Sequence, residues 1–177
     1  MRFRRQVLSS LVFLAAALPL AAQTPAEVRA KQVAMLQQEQ RMILSFIDSM
    51  PQQWFRDRAT PPQRDFAMQL FHAAVTYPFA LSRFLGAPAL PNATDSTAAT
   101  ASKDALRAYT TAAYGYATDF LRGQTDSART AQVRLFGMPM PSWQVWDELH
   151  QHTMWTLGQV VANFRAHDLR PAPFIFF

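Results

Sequence analysis

Apolar residues recur along most of this chain at steps of three, four and seven, the pattern of helices that bury one face. Val28, Met35, Leu36, Ile43, Phe46, Ile47 and Met50 place a first helix over about Thr24 to Ser49, with Pro25 suited to its first turn and Pro51 ending it. A second is predicted from Thr60-Pro61-Pro62, read as a cap and first turn, through Phe66, Leu70, Val75 and Leu81 to a stop at Gly86, kinked at Pro78. Leu106, Tyr109, Tyr114, Tyr116, Phe120 and Leu121 define a third, starting near Ser102. The fourth is predicted from Trp143 to about His167, capped by Ser142, with Asp147 and Glu148 near its positive end and Arg165 near its negative one. Between helices two and three, residues 87–101 read as a loop long enough to cross a bundle end. Residues 123–141 form a second irregular stretch, in which Val133-Arg134-Leu135-Phe136 is a short extended or turn element. No stretch alternates convincingly as a strand. Helices of about 20 to 26 residues, each roughly 30–40 Å long, imply an all-α four-helix bundle with long loops between helices 2–3 and 3–4.

The first residues follow a different rule. Arg2, Arg4 and Arg5 precede the apolar run 7–20, and Ala21-Ala22 follow it. Such a charged start, an apolar core too short to span a bilayer and small residues before a cut form a secretory signal peptide, here residues 1–22. Its alternative is an uncleaved anchor. Without cysteine there is no lipidation site at the cut and no thiol for an oxidising compartment to act on. The predicted protein is therefore exported to the periplasm as one domain, residues 23–177, with no stable membrane insertion after cleavage.

Charge changes meaning once the leader is set aside. The whole chain carries a formal +5, which suggests nucleic acid; removing Arg2, Arg4 and Arg5 leaves fourteen basic against twelve acidic side chains, a formal +2. Arg56, Arg58 and Arg64 are the densest remaining basic cluster, too sparse for a phosphate-binding face, so nucleic acid is excluded as a partner. A small-molecule ligand and a homodimer are the partners left open.

Bundle sites are built from side chains facing inward on different helices, which directs attention to the four histidines. At 100° per residue His152 shares a stripe with Val145, Leu149, Thr156 and Val160, while His150 is rotated about 200° from it and His167 lies roughly 22 Å along the axis. His72 shares a face with Met68, Val75 and Phe79. Only His72 and His152 are placed to converge, and for each the plainer reading is a core histidine satisfied by a hydrogen bond. Trp143, Trp146 and Trp155, with Met154, read as core before they read as a ligand cleft. The sequon Asn92-Ala93-Thr94 is at chance frequency. Residues 171–177, Pro-Ala-Pro-Phe-Ile-Phe-Phe, are apolar enough to fold back onto the bundle end, or else to bind a partner. Glycine-rich phosphate loops, nucleophile elbows and His-Glu-x-x-His motifs are absent.

Two segments carry a resemblance. Met50–Pro88 holds Pro-Gln-Gln-Trp-Phe-Arg before a helix with Phe66-Ala-Met-Gln-Leu-Phe-His72 and closes on Leu85-Gly86. The last helix reads Leu149-His-Gln-His152-Thr-Met-Trp-Thr156-Leu-Gly158-Gln159, followed by Phe164-Arg165, Leu169 and Pro171-Ala-Pro173. Together they resemble the DinB-like superfamily over most of residues 30–173. The resemblance implies a four-helix bundle and, in many members, a divalent metal held by one histidine on the second helix and two, four apart, on the last; some members are thiol-dependent transferases or isomerases. Matched by position, His72 is the first ligand, His152 the second, and the third falls on Thr156. A threonine hydroxyl is a poor donor beside imidazole or carboxylate, so the triad is incomplete. Glu148, one turn before His152, is a candidate substitute. The resemblance implies that Gly158-Gln159 serves helix packing, with Gly158 admitting a close neighbour; Gln159 could instead line the cavity. The expected protein is a degenerate, non-catalytic binding module with no cofactor or a weakly bound Zn, Ni or Mn ion. The alternative is a metal-dependent enzyme of the thiol transferase or hydrolase type using His72 and His152.

Overall fold

The computed structural model describes residues 23–176, so the leader read over residues 1–22 lies outside the described residues. Four long helices dominate: α1 Pro25–Ser49, α2 Phe66–Phe84, α4 Lys103–Gly123 and α6 Ser142–Arg165. Between them lie two short helices, α3 Ser96–Ala99 and α5 Asp126–Thr130, and the strands β1 Gln132–Leu135 and β2 Met138–Pro141. No helix among the described residues is long and apolar enough to cross a membrane.

Side-chain partners fix the directions of the helices. Tyr114 of α4 reaches Glu39 while Arg107 reaches Asp48, so α4 runs antiparallel to α1. Gln69 bonds Gln159 while Tyr77 stacks on Trp146, so α2 runs antiparallel to α6. Phe71 packs on Tyr109 and Tyr77 on Tyr114, which makes α2 and α4 parallel. Likewise α1 and α6 are parallel, Gln32 meeting Asp147 at the upper end and Phe46 meeting Phe164 at the lower. The chain therefore returns the full length of the bundle between α2 and α4, instead of merely crossing its end. Tyr109 and Tyr116, seven residues apart on α4, pin this crossover by donating to the carbonyls of Ala93 (2.6 Å) and Pro88 (2.8 Å).

Caps explain where the helices start. Thr24 and Glu27 form a reciprocal capping box on α1, and Ser102 caps α4 as its sequence predicts. The second helix starts later than expected. Thr60-Pro61-Pro62 forms a turn, and Asp65 is the cap, accepting from the Met68 N–H at 2.8 Å and pairing with Arg56 at 3.1 Å. The next orphan donors, Phe66 and Ala67 N–H, are taken by the carbonyls of Asp57 and Phe55, so the loop itself closes the helix end. Through Pro78 the helix continues without interruption. Ser142 is the first residue of α6 and makes no side-chain cap; its N–H goes to the Ala131 carbonyl.

The stretch 123–141 holds more structure than its sequence suggests. In it β1 and β2 pair antiparallel, with Leu135 opposite Met138, across the two-residue turn Phe136-Gly137. Both turn residues have positive φ, 48° and 90°, as the twist of a tight hairpin demands. Glycine adopts this readily; a phenylalanine is strained there.

Of the tryptophans read as core, only Trp146 is buried; Trp155 is 76% exposed and Trp143 partly so. Gly158 is exposed, and a Cβ there would meet nothing, so it admits no close helix neighbour. The C-terminal segment turns back along the side of the bundle: Leu169, Ala172 and Ile175 pack against the core, and the Ile175 carbonyl accepts from Gln38.

Candidate functional site

The antiparallel pair α2 and α6 brings His72 and His152 together. Their rings meet edge to face, with centroids 5.0 Å apart and planes at 73°. They line a cavity of about 520 Å³ together with the apolar side chains Phe71, Val75 and Phe79 of α2, Leu149 of α6, and Leu135 and Phe136 of the hairpin, and with the polar Thr76, Thr94 and Glu148. Phe136 stacks edge-on against Phe84, ring centroids 4.9 Å apart, and is itself 69% exposed, so the strained turn residue forms the rim of the cavity.

Burial sets the charge of the two imidazoles. It pushes His72 down to about 4, helped by the nearby Arg64 guanidinium and by His152. His152 is pushed down by burial and then by Arg64. Both rings are therefore neutral near neutral pH, each with one donor and one acceptor nitrogen. The Nδ1 of His152 is buried and has no partner among the described residues.

Glu148 lines the same cavity and accepts from Gln144 at 3.3 Å. Thr156 is buried in the core, 1% exposed, and is not part of the cavity wall. No group of three or more His, Cys, Asp or Glu side chains among the described residues is arranged to hold a metal ion. Thr156, the position matched to the third family ligand, thus does not join His72 and His152 in the cavity. Gln159 turns away from the cavity, its amide oxygen accepting from Gln69 at 2.9 Å in a clamp between α2 and α6.

The other two histidines have separate surroundings. His167 stacks on Trp54 at 3.9 Å and contacts Asp57 at 2.9 Å, closing the lower end. His150 turns its Nδ1 to Glu39, a carboxylate with no exposure, which also accepts from Tyr77 (3.0 Å) and Tyr114 (2.9 Å). Burial pushes the Glu39 carboxyl up, against the pull of those three donors. This buried cluster escapes the sequence reading, although a signal for it exists: Glu39 sits on the same face of α1 as Leu36, Ile43 and Phe46, where an unpaired carboxylate would be prohibitively costly. Phe136 escapes it too; the Phe-Gly pair between short apolar stretches is its trace.

The fold is similar to that of a crystal structure described as a DinB-like protein from Bacillus cereus ATCC 10987, with a TM-score of 0.70 over 81% of this chain and 95% of that one, at 18% identity. The chain thus has the DinB-like fold. No protein-family model matches the sequence, and no curated protein matches it.

Proposed function

We propose that the protein is an exported, non-catalytic binding module on a DinB-like fold. Its ligand is a small, largely apolar molecule whose single polar group meets His72 and His152. One observation carries this reading: two neutral imidazoles share a largely apolar cavity, while the position of a third metal ligand is a threonine buried in the core. A cavity of about 520 Å³ is of the size that takes a small organic molecule. Neutral rings offer a donor and an acceptor to a hydroxyl without demanding charge from the ligand.

A metal-dependent enzyme is the competing reading, favoured by the unpartnered His152 Nδ1 and by Glu148 on the same wall. Metal analysis separates the two. Protein purified without a histidine tag and soaked with Zn²⁺, Ni²⁺ or Mn²⁺ is expected to retain no stoichiometric metal after desalting, and to be stabilised by 2-naphthol in a His72-dependent way. Stoichiometric retention abolished by His72→Ala or His152→Ala would overturn the binding-module reading. Export is checked by the mass of the protein in the periplasmic fraction, which is expected to begin at Gln23.

A further inference from the structure

A second and larger cavity, about 680 Å³, lies between the upper halves of α1 and α6 beside the short helix α5, and it shares no lining residue with the His72–His152 cavity. Val28 and Met35 of α1 and Trp143 of α6 give it apolar walls. Its polar groups are arranged with unusual care. His150 lines it, and its Nδ1 is fixed on the buried Glu39. Glu39 also accepts from two tyrosine hydroxyls, so the contact holds the ring in one orientation. The ring is partly exposed and lines the cavity, and with Nδ1 donating to Glu39 its Nε2 is an acceptor. A histidine oriented by a buried carboxylate, with its second nitrogen free over a cavity, is built to take a hydrogen bond from an O–H group.

Arg129, only 3% exposed, also lines the cavity. Its Nη2 donates to Gln32 at 2.7 Å, while its Nη1 has no partner among the described residues. Two acids share the wall and favour the Arg129 charge without bonding it: Asp126 pairs with Arg29 at 2.5 Å, and Asp147 accepts from Gln32 at 2.9 Å. Lys31 adds a second cation to the wall. A buried guanidinium with an unused donor is costly unless an anion supplies the missing acceptor. Asp147 of α6 and Arg129 of α5 share Gln32, which ties both walls of the cavity to α1.

From this geometry we infer that the cavity between α1 and α6 binds a small aromatic hydroxy acid, its ring against Trp143 and Met35, its hydroxyl donating to His150 Nε2 and its carboxylate on Arg129 and Lys31. Glu39 is a positioning residue that holds the His150 tautomer. The probe is 4-hydroxybenzoate, titrated by calorimetry against the purified full chain. His150→Gln and Arg129→Gln are each expected to weaken binding about tenfold or more, whereas His72→Gln leaves it unchanged. Benzoate, without the hydroxyl, and 4-hydroxybenzyl alcohol, without the carboxylate, are expected to bind more weakly by a similar factor. Absence of binding at millimolar probe, equal affinity for the three compounds, or loss of binding in His72→Gln but not in His150→Gln overturns the inference. Should His150→Gln or Arg129→Gln lose helical circular dichroism, transferred nuclear Overhauser contacts between the probe and Trp143 in the unsubstituted protein decide: contacts support the site and their absence overturns it.

Discussion

His72 and His152, on neighbouring antiparallel helices, hold their imidazoles edge to face 5.0 Å apart, and neither ring carries a proton's charge near neutral pH. A pair so close and so shielded resists protonation in the folded state more than in the unfolded chain.

This difference predicts acid sensitivity. His72 takes its proton near 6.5 when unfolded but only near about 4 when folded. Between those values the unfolded chain binds more protons, so the stability present above pH 6.5 drains away as the pH falls toward 4. His152 acts in the same direction, and Glu39, raised by burial, in the opposite one. Urea unfolding at a series of pH values is expected to show a shallower acid loss for His72→Gln than for the unsubstituted protein. Parallel curves would contradict the assignment.

Replacing Thr156 tests the alignment of the last helix with a metal site. Thr156→His introduces an imidazole into a position that is 1% exposed, at an overpacking cost of about 1–3 kcal/mol. With His72 and His152 it supplies a third nitrogen ligand. The variant is expected to melt lower than the parent without metal and to recover on addition of Zn²⁺, which leaves the parent unchanged. A folded variant indifferent to zinc would show that the ring does not reach the pair.

The Glu39 cluster sets a stability test of its own. Tyr77→Phe or Tyr114→Phe removes one hydrogen bond to a buried carboxylate and is expected to cost about 1.5–3 kcal/mol. Glu39→Ala leaves two hydroxyls and His150 without their acceptor and is expected to cost about 3–5 kcal/mol. Equilibrium unfolding measures each value, and the double tyrosine variant should depart from additivity because both hydroxyls share one carboxylate.

Phe136 trades stability for cover. Asparagine followed by glycine suits the hairpin turn better than phenylalanine at a φ of 48°. Phe136→Asn is expected to melt no lower than the parent while losing affinity for 2-naphthol, because the rim of the His72–His152 cavity is gone. Undiminished 2-naphthol binding by this variant would remove the rim from the site.

The sequence by itself determined the four long helices, because a repeat near 3.6 residues must bury one face wherever it occurs. Local chemistry also settled the ends closed by their own residues: Thr24 with Glu27, and Ser102. The same periodicity placed His72 and His152 on inward faces. It could not say which helices are neighbours or which way they run, since an apolar stripe fits any partner. That choice belonged to tertiary structure, which paired α2 antiparallel with α6 and sent the crossover the length of the bundle. Asp65 displaced Thr60 as a cap because carbonyls of the preceding loop, Phe55 and Asp57, reach the next N–H groups. The hairpin formed from residues with no alternation because α2 and α6 shelter one side of it. His150, dismissed by its angle to His152, found Glu39 on α1, a contact between two helices that only packing brings together.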